Sequence, residues 1–146
     1  MDLITITREK DLVFKSELRN HTFFSDMAVD DGGKDEAPSP ADYLVCALGS
    51  CFGMIIERYC QSHGYSSEGT EIYMTYMLND KPKSVKSITA DIALPEDFPD
   101  DRKKAILNSI KTCVIFNTLS KDVEIDVEIE DWYSIFVSIL NFCWLL

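Results

Sequence analysis

Ser39-Pro40-Ala41-Asp42-Tyr43-Leu44-Val45-Cys46-Ala47-Leu48-Gly49-Ser50-Cys51-Phe52 runs on through Met54-Ile55-Ile56 to Tyr59 and stops at Gly64, and this stretch decides the architecture. Ser39 is a good N-cap, Pro40 suits the first helical position, and Asp42 completes an S-x-x-D capping box. Gly64 is a natural left-handed stop. About 24 residues at ~1.5 Å each predict a helix on the order of 36 Å long. Apolar residues cover most of its circumference, so the spacing predicts a central, buried helix. Gly49, Ser50 and Gly53 form a strip of small residues that lets another backbone come close.

Outward from this helix the chain changes period. Before it, Val29 to Pro40 is a polar loop with Gly32-Gly33 and two prolines. Lys34-Asp35-Glu36 reads there as a solvated cluster. Further upstream, Leu3-Ile4-Thr5-Ile6-Thr7 and Leu12-Val13-Phe14 read as two short strands. After the helix, Ile72, Met74, Tyr76 and Leu78 alternate with Tyr73, Thr75 and Met77. Ile88, Ala90, Ile92 and Leu94 alternate in the same way, so the two runs predict a hairpin. A second helix follows the Pro95–Pro99 loop, with Ala105, Ile106, Ile110 and Cys113 as its apolar stripe, and residues 114–120 hold a short extra helical turn. Val123, Ile125, Val127 and Ile129 alternate strictly with acidic residues, the pattern of a strand with one buried face. The fold class is α+β.

The chain has 146 residues and a formal net charge of −11. That length suits one domain, read as residues 1–130. The acidic balance opposes binding to a nucleic-acid backbone or an anionic bilayer, so neither is expected as a partner. Residues 131–146 form a hydrophobic C-terminal tail in which twelve of sixteen residues are apolar or aromatic. A membrane span needs about 20 such residues, so the tail reads first as a helix buried against the body or a partner subunit, with a membrane-touching tail or an extension unrelated to the fold as the alternatives. The N-terminus lacks the basic region and apolar run of a signal peptide. The five cysteines contain no C-x-x-C pair, which fits a reducing cytoplasm.

No dinucleotide, P-loop or zinc-protease motif is present, and no cofactor or metal is expected. With only His21 and His63, a histidine-assisted nucleophile has few bases to choose from. Cys51 lies on the buried face of the long helix, where a thiol is ordinarily small apolar filler. Cys113 ends the second helix's stripe and has the same reading. Two such thiols, if they meet, make a redox device, and the sequence leaves open whether they do. Cys46 lies a net ~140° around the helix from Cys51 and, with Cys60, reads as a packing thiol.

His21-Thr-Phe-Phe-Ser-Asp26, Gly32-Gly33 through Ala37-Pro38-Ser39-Pro40, and Tyr43 through Cys51-Phe52 together resemble the OsmC/Ohr family of osmotically induced and organic-hydroperoxide-resistance proteins. The proline eleven residues before Cys51 is the specific part of the match. The resemblance implies antiparallel sheets wrapped around long central helices in an intertwined homodimer. It also implies a thiol-dependent peroxidase. On that resemblance Cys51 would attack an organic hydroperoxide and become a sulfenic acid, Cys113 would close a disulfide with it, and an external dithiol would reduce the disulfide. Peroxidatic members carry a Glu after the proline, paired with a loop Arg. Here Ala41 takes the Glu position, and residues 20–40 contain no arginine. Arg8 and Arg19 are the nearest candidate cations, and Arg19 is the preferred one. The second cysteine is followed by Val114 where the family usually has proline. These departures leave an alternative: a non-catalytic dimer of the same fold that binds an apolar small molecule.

Overall fold

The computed structural model describes residues 2–81 and 83–119. The strand expected at 123–129 and the tail at 131–146 lie outside the described residues. Three strands come first: β1 (Ile4–Lys10), β2 (Val13–Leu18) and β3 (His21–Ser25). They form an antiparallel meander in the order β1-β2-β3. A loop leads to the long helix α1 (Pro40–His63), and the hairpin β4 (Glu71–Asn79) and β5 (Ser84–Ala93) follows. A 3₁₀ turn at Asp100–Arg102 opens α2 (Lys103–Ile110), and α3 (Val114–Leu119) comes after a break.

Only two of the first three strands were expected, because adjacent Phe23 and Phe24 break the alternation. The register resolves them onto opposite faces: Phe23 sits opposite Ser16 and Phe24 opposite Lys15. The later hairpin follows its alternation. Ile72 pairs with Ile92, Met74 with Ala90 and Tyr76 with Ile88. These apolar residues turn one face of the hairpin onto α1, and α2 packs on α1 as well. The shared core contains Leu48, Phe52, Ile56, Cys60, Phe98, Ile106 and Ile110.

α1 begins and ends where its caps predict. The capping box closes in both directions: Ser39 Oγ accepts from Asp42 N–H, and Asp42 accepts from Ser39 N–H at 2.8 Å. Gly64 ends the helix at φ 73°. Tyr76 of β4 also donates to Asp42, at 2.8 Å, tying hairpin to helix start. The Ser39 and Tyr76 hydroxyls hold the Asp42 carboxyl below the ordinary carboxylate range. A carboxyl depressed on folding stabilises the protein above its unfolded pKa of about 3.9, and that contribution is lost as pH falls through the folded value. Asp42→Asn is therefore expected to lower the urea midpoint at pH 7, and to narrow its gap from wild type as pH drops below about 4.

By length and apolar composition α1 would also cross a membrane, but its caps and its packing against β4, β5 and α2 make it the core helix of this domain. Its buried face is narrower than the sequence suggests: Val45, Leu48, Phe52, Ile56 and Cys60 are buried, while Met54 is 65% exposed. The small-residue strip meets side chains of β4 in the same chain. A Cβ at Gly49 would stand 2.9 Å from Met74 Cγ, and one at Gly53 would stand 3.6 Å from Ile72 Cδ1. Alanine gains up to about 1 kcal/mol over glycine inside a helix. Gly53→Ala should thus raise the melting temperature, while Gly49→Ala should lose that gain to displacement of Met74. Thermal denaturation of the two variants side by side checks the pair.

Between β3 and α1, one buried carboxylate organises the loop. Asp26, 2% exposed, accepts from the N–H of Met27, Lys34 and Glu36 at 2.8–3.1 Å. These backbone donors, Glu36 foremost, hold its carboxyl below the usual range. The side chains of the Lys34–Glu36 cluster are solvated as expected, with Lys34 reaching Asp11 and Lys10 reaching Glu36. Its Lys34 and Glu36 N–H groups, however, are committed to Asp26.

Candidate redox site

The helix and the break after α2 bring two distant thiols together. Cys51 sits near the middle of α1, half-buried against the core. Cys113 lies in the break between α2 and α3, where its N–H donates to the Ile110 carbonyl at 2.9 Å and its carbonyl accepts from Asn117 N–H at 3.0 Å. The spacing 106, 110, 113 had continued the α2 stripe through Cys113. The helix instead ends at Ile110, and Cys113 heads α3. The two cysteines, 62 residues apart in sequence, form a disulfide with a Cα–Cα separation of 6.1 Å. That separation is within the ordinary range for a bridge.

The surroundings of the two sulfurs differ. Cys113 is fully buried, and its Sγ accepts from Phe116 N–H at 3.3 Å. A donor aimed at sulfur favours the thiolate over the thiol. Phe116 in turn faces Phe52, the neighbour of Cys51, with ring centroids 6.4 Å apart. Beside this pair lies an open cleft of about 470 Å³ whose walls include Leu44, Leu48, Phe52, Ile88, Phe116 and Leu119.

The other expected residues stand elsewhere. Arg19 occupies the β2–β3 turn with φ 53°, and its side chain is mostly exposed, 3.8 Å from Asp2. That places it on the first sheet, which meets α1 at Tyr43: Phe23 packs on the Tyr43 ring, and Tyr43 Oη donates to the Phe24 carbonyl at 2.6 Å. The structure therefore joins Cys51 to Cys113 and leaves Arg19 in that turn. Cys60 is a buried free thiol, pushed up by burial with Glu57 adding to it, which keeps it protonated. Cys46 is free and exposed, so the packing role expected for it does not hold within the chain. Sequence reasoning passed over Asp26 and Tyr76. A lone loop aspartate carries no periodic signal, and a tyrosine on a strand's apolar face looks like filler.

A family model described as OsmC-like protein matches residues 33–128. The chain belongs to the OsmC-like protein family. Solved structures agree with that membership in fold. A candidate osmotic stress induced and detoxification response protein from Psychrobacter arcticus 273-4 is 27% identical with a TM-score of 0.76, over 81% of this chain and 88% of that one. The organic hydroperoxide resistance protein OsmC from Legionella pneumophila is 15% identical with a TM-score of 0.62, over 85% and 92%. OhrB of Bacillus subtilis, also an organic hydroperoxide resistance protein, is 14% identical with a TM-score of 0.59, over 89% and 98%. A search of curated proteins found no match. Within this OsmC-like chain, the start of α1 departs from the peroxidatic pattern in a defined way. Ala41 offers no carboxylate, and Asp42 is committed to Ser39 and Tyr76.

Proposed function

We propose that this OsmC-like protein is a thiol-dependent peroxidase that reduces organic hydroperoxides in a reducing, cytoplasmic compartment. The contact between Cys51 and Cys113 supports it most directly. A nucleophilic thiol and a second thiol within bonding reach are what a dithiol–disulfide cycle requires. Cys51 thiolate attacks the outer oxygen of ROOH, the O–O bond breaks, and the alkoxide leaves as ROH after taking a proton. Cys113 then attacks the Cys51 sulfenic acid, releasing water and forming the disulfide. An external dithiol returns both thiols and becomes a disulfide itself. The names of the Legionella and Bacillus proteins favour the same chemistry.

Ionisation of Cys51 calls for a cation, and Arg19 is the one proposed. Within one chain it sits in the β2–β3 turn, so the reading includes a homodimer in which that turn stands over the partner's thiols. The first sheet suits such a partner. β1 is exposed at every residue, and Ile4, Ile6 and Phe23 lie open on it. Apolar surface left open in this way is the mark of an interaction face.

One observation favours the second reading, a binding protein without turnover. The cleft beside Phe52 and Phe116 is largely apolar, and such clefts take hydrophobic small molecules. Dithiothreitol-dependent consumption of cumene hydroperoxide separates the two. A rate well above that of dithiothreitol alone supports the peroxidase, and a rate equal to it leaves the binding protein.

A further inference from the structure

The disulfide can be opened from either sulfur, and the structure is not symmetric between them. A thiolate that opens a disulfide must approach one sulfur along the S–S axis while the other sulfur leaves with the bonding pair. Cys113 is 0% exposed, enclosed by the core that also buries Ile106 and Ile110. Cys51 is half-buried and packs at the edge of that core. Approach is therefore less obstructed on the Cys51 side than on the Cys113 side. Burial makes a bare Cys113 thiolate costly, and the Phe116 N–H, which already points at its Sγ, offsets part of that cost as the charge develops. A leaving thiol with a lower pKa leaves faster. Accessibility thus selects the direction, and the Phe116 N–H assists the departure of Cys113.

We propose that the external reductant attacks Cys51 Sγ and expels Cys113 as the thiolate. The reductant's sulfur bonds to Cys51, the Cys51–Cys113 bond breaks, and its electron pair goes to Cys113. The second thiol of the reductant then attacks the first, breaking the mixed disulfide. Cys51 is released as a thiolate, and the reductant departs as a disulfide. Cys51 in this scheme meets both oxidant and reductant in turn, while Cys113 meets neither. This deepens the peroxidase reading but needs only the disulfide, so its test does not depend on turnover.

The full chain is oxidised with diamide, desalted and exposed briefly to glutathione at mildly alkaline pH. The mixture is quenched in acid and alkylated, and the peptides are mapped by mass spectrometry. The expected product carries glutathione on Cys51 and the alkyl group on Cys113, with at least a ~10-fold excess over the reverse pattern. Glutathione mainly on Cys113, or divided equally, overturns the proposal. A second comparison isolates the leaving group. Phe116→Ala keeps the backbone N–H, whereas Phe116→Pro removes it within the first turn of α3, where that N–H serves Cys113 Sγ rather than a helical carbonyl. Glutathione should open the disulfide several-fold more slowly in Phe116→Pro than in Phe116→Ala; equal rates overturn the role given to that N–H. Should the protein fail to consume hydroperoxide, the position of the adduct still decides the direction of opening.

Discussion

Cys51→Ser is expected to abolish dithiol-driven consumption of cumene hydroperoxide, while Cys113→Ser retains a slower turnover that fails as peroxide accumulates. Loss of a nucleophile removes the covalent step itself, so the Cys51→Ser rate should fall at least ~100-fold, to that of the dithiol alone. Cys113→Ser leaves the first step intact. Its Cys51 sulfenic acid has no thiol 62 residues away to close on, so it persists long enough to be labelled by dimedone. A dithiol can still reduce that sulfenic acid, which sustains some turnover. Excess hydroperoxide oxidises it further to the sulfinic acid, which the dithiol does not reverse. Progress curves with dimedone labelling check both variants. Equal loss in the two without any labelled sulfenic acid would sink the assignment of Cys51 as the attacking thiol.

The largest structural effect is expected at Gly33. A Cβ there would stand 1.9 Å from the Met27 carbonyl oxygen and 2.4 Å from its carbon, both backbone atoms. No rotamer change relieves such a clash, so Gly33→Ala must push the backbone apart at a cost of about 3 kcal/mol or more. The same backbone carries the loop's hydrogen bonds. Gly33 N–H donates to the Ala28 carbonyl, Asp35 N–H to the Met27 carbonyl, and the flanking Lys34 N–H to Asp26. Shifting it therefore strains the loop that delivers Ser39 to the start of α1. Gly32→Ala is the contrasting variant. Its Cβ would meet nothing within 4 Å, but its φ of 87° strains any side chain. Urea denaturation should rank wild type above Gly32→Ala and Gly32→Ala above Gly33→Ala. Gly33→Ala matching wild type would show that the loop is not close-packed at Met27.

Much of this was legible because it is local. The bounds of α1 follow from Ser39, Pro40, Asp42 and Gly64, each of which acts within one turn of the chain. The β4–β5 hairpin follows from alternation, since a strand's period of two assigns each side chain a face before any partner is known. β3 was lost where Phe23-Phe24 breaks that period within a strand of only five residues. The resemblance added Cys51 and Cys113 as a working pair, a relation that their own spacing does not contain.

What the sequence by itself determined was therefore one-dimensional: where elements start and stop, which face of each is apolar, and which thiols sit on those faces. Tertiary structure decided what those faces meet. It turned the Gly49–Gly53 strip toward Met74 and Ile72, spent Asp42 on Ser39 and Tyr76, and buried Asp26 under three loop amides. It ended α2 at Ile110 so that Cys113 heads α3 and reaches Cys51. The physical reason is the same in each case. Caps and periodicity act between residues a few positions apart, whereas a contact across 62 residues depends on how whole elements pack, and no local pattern encodes that.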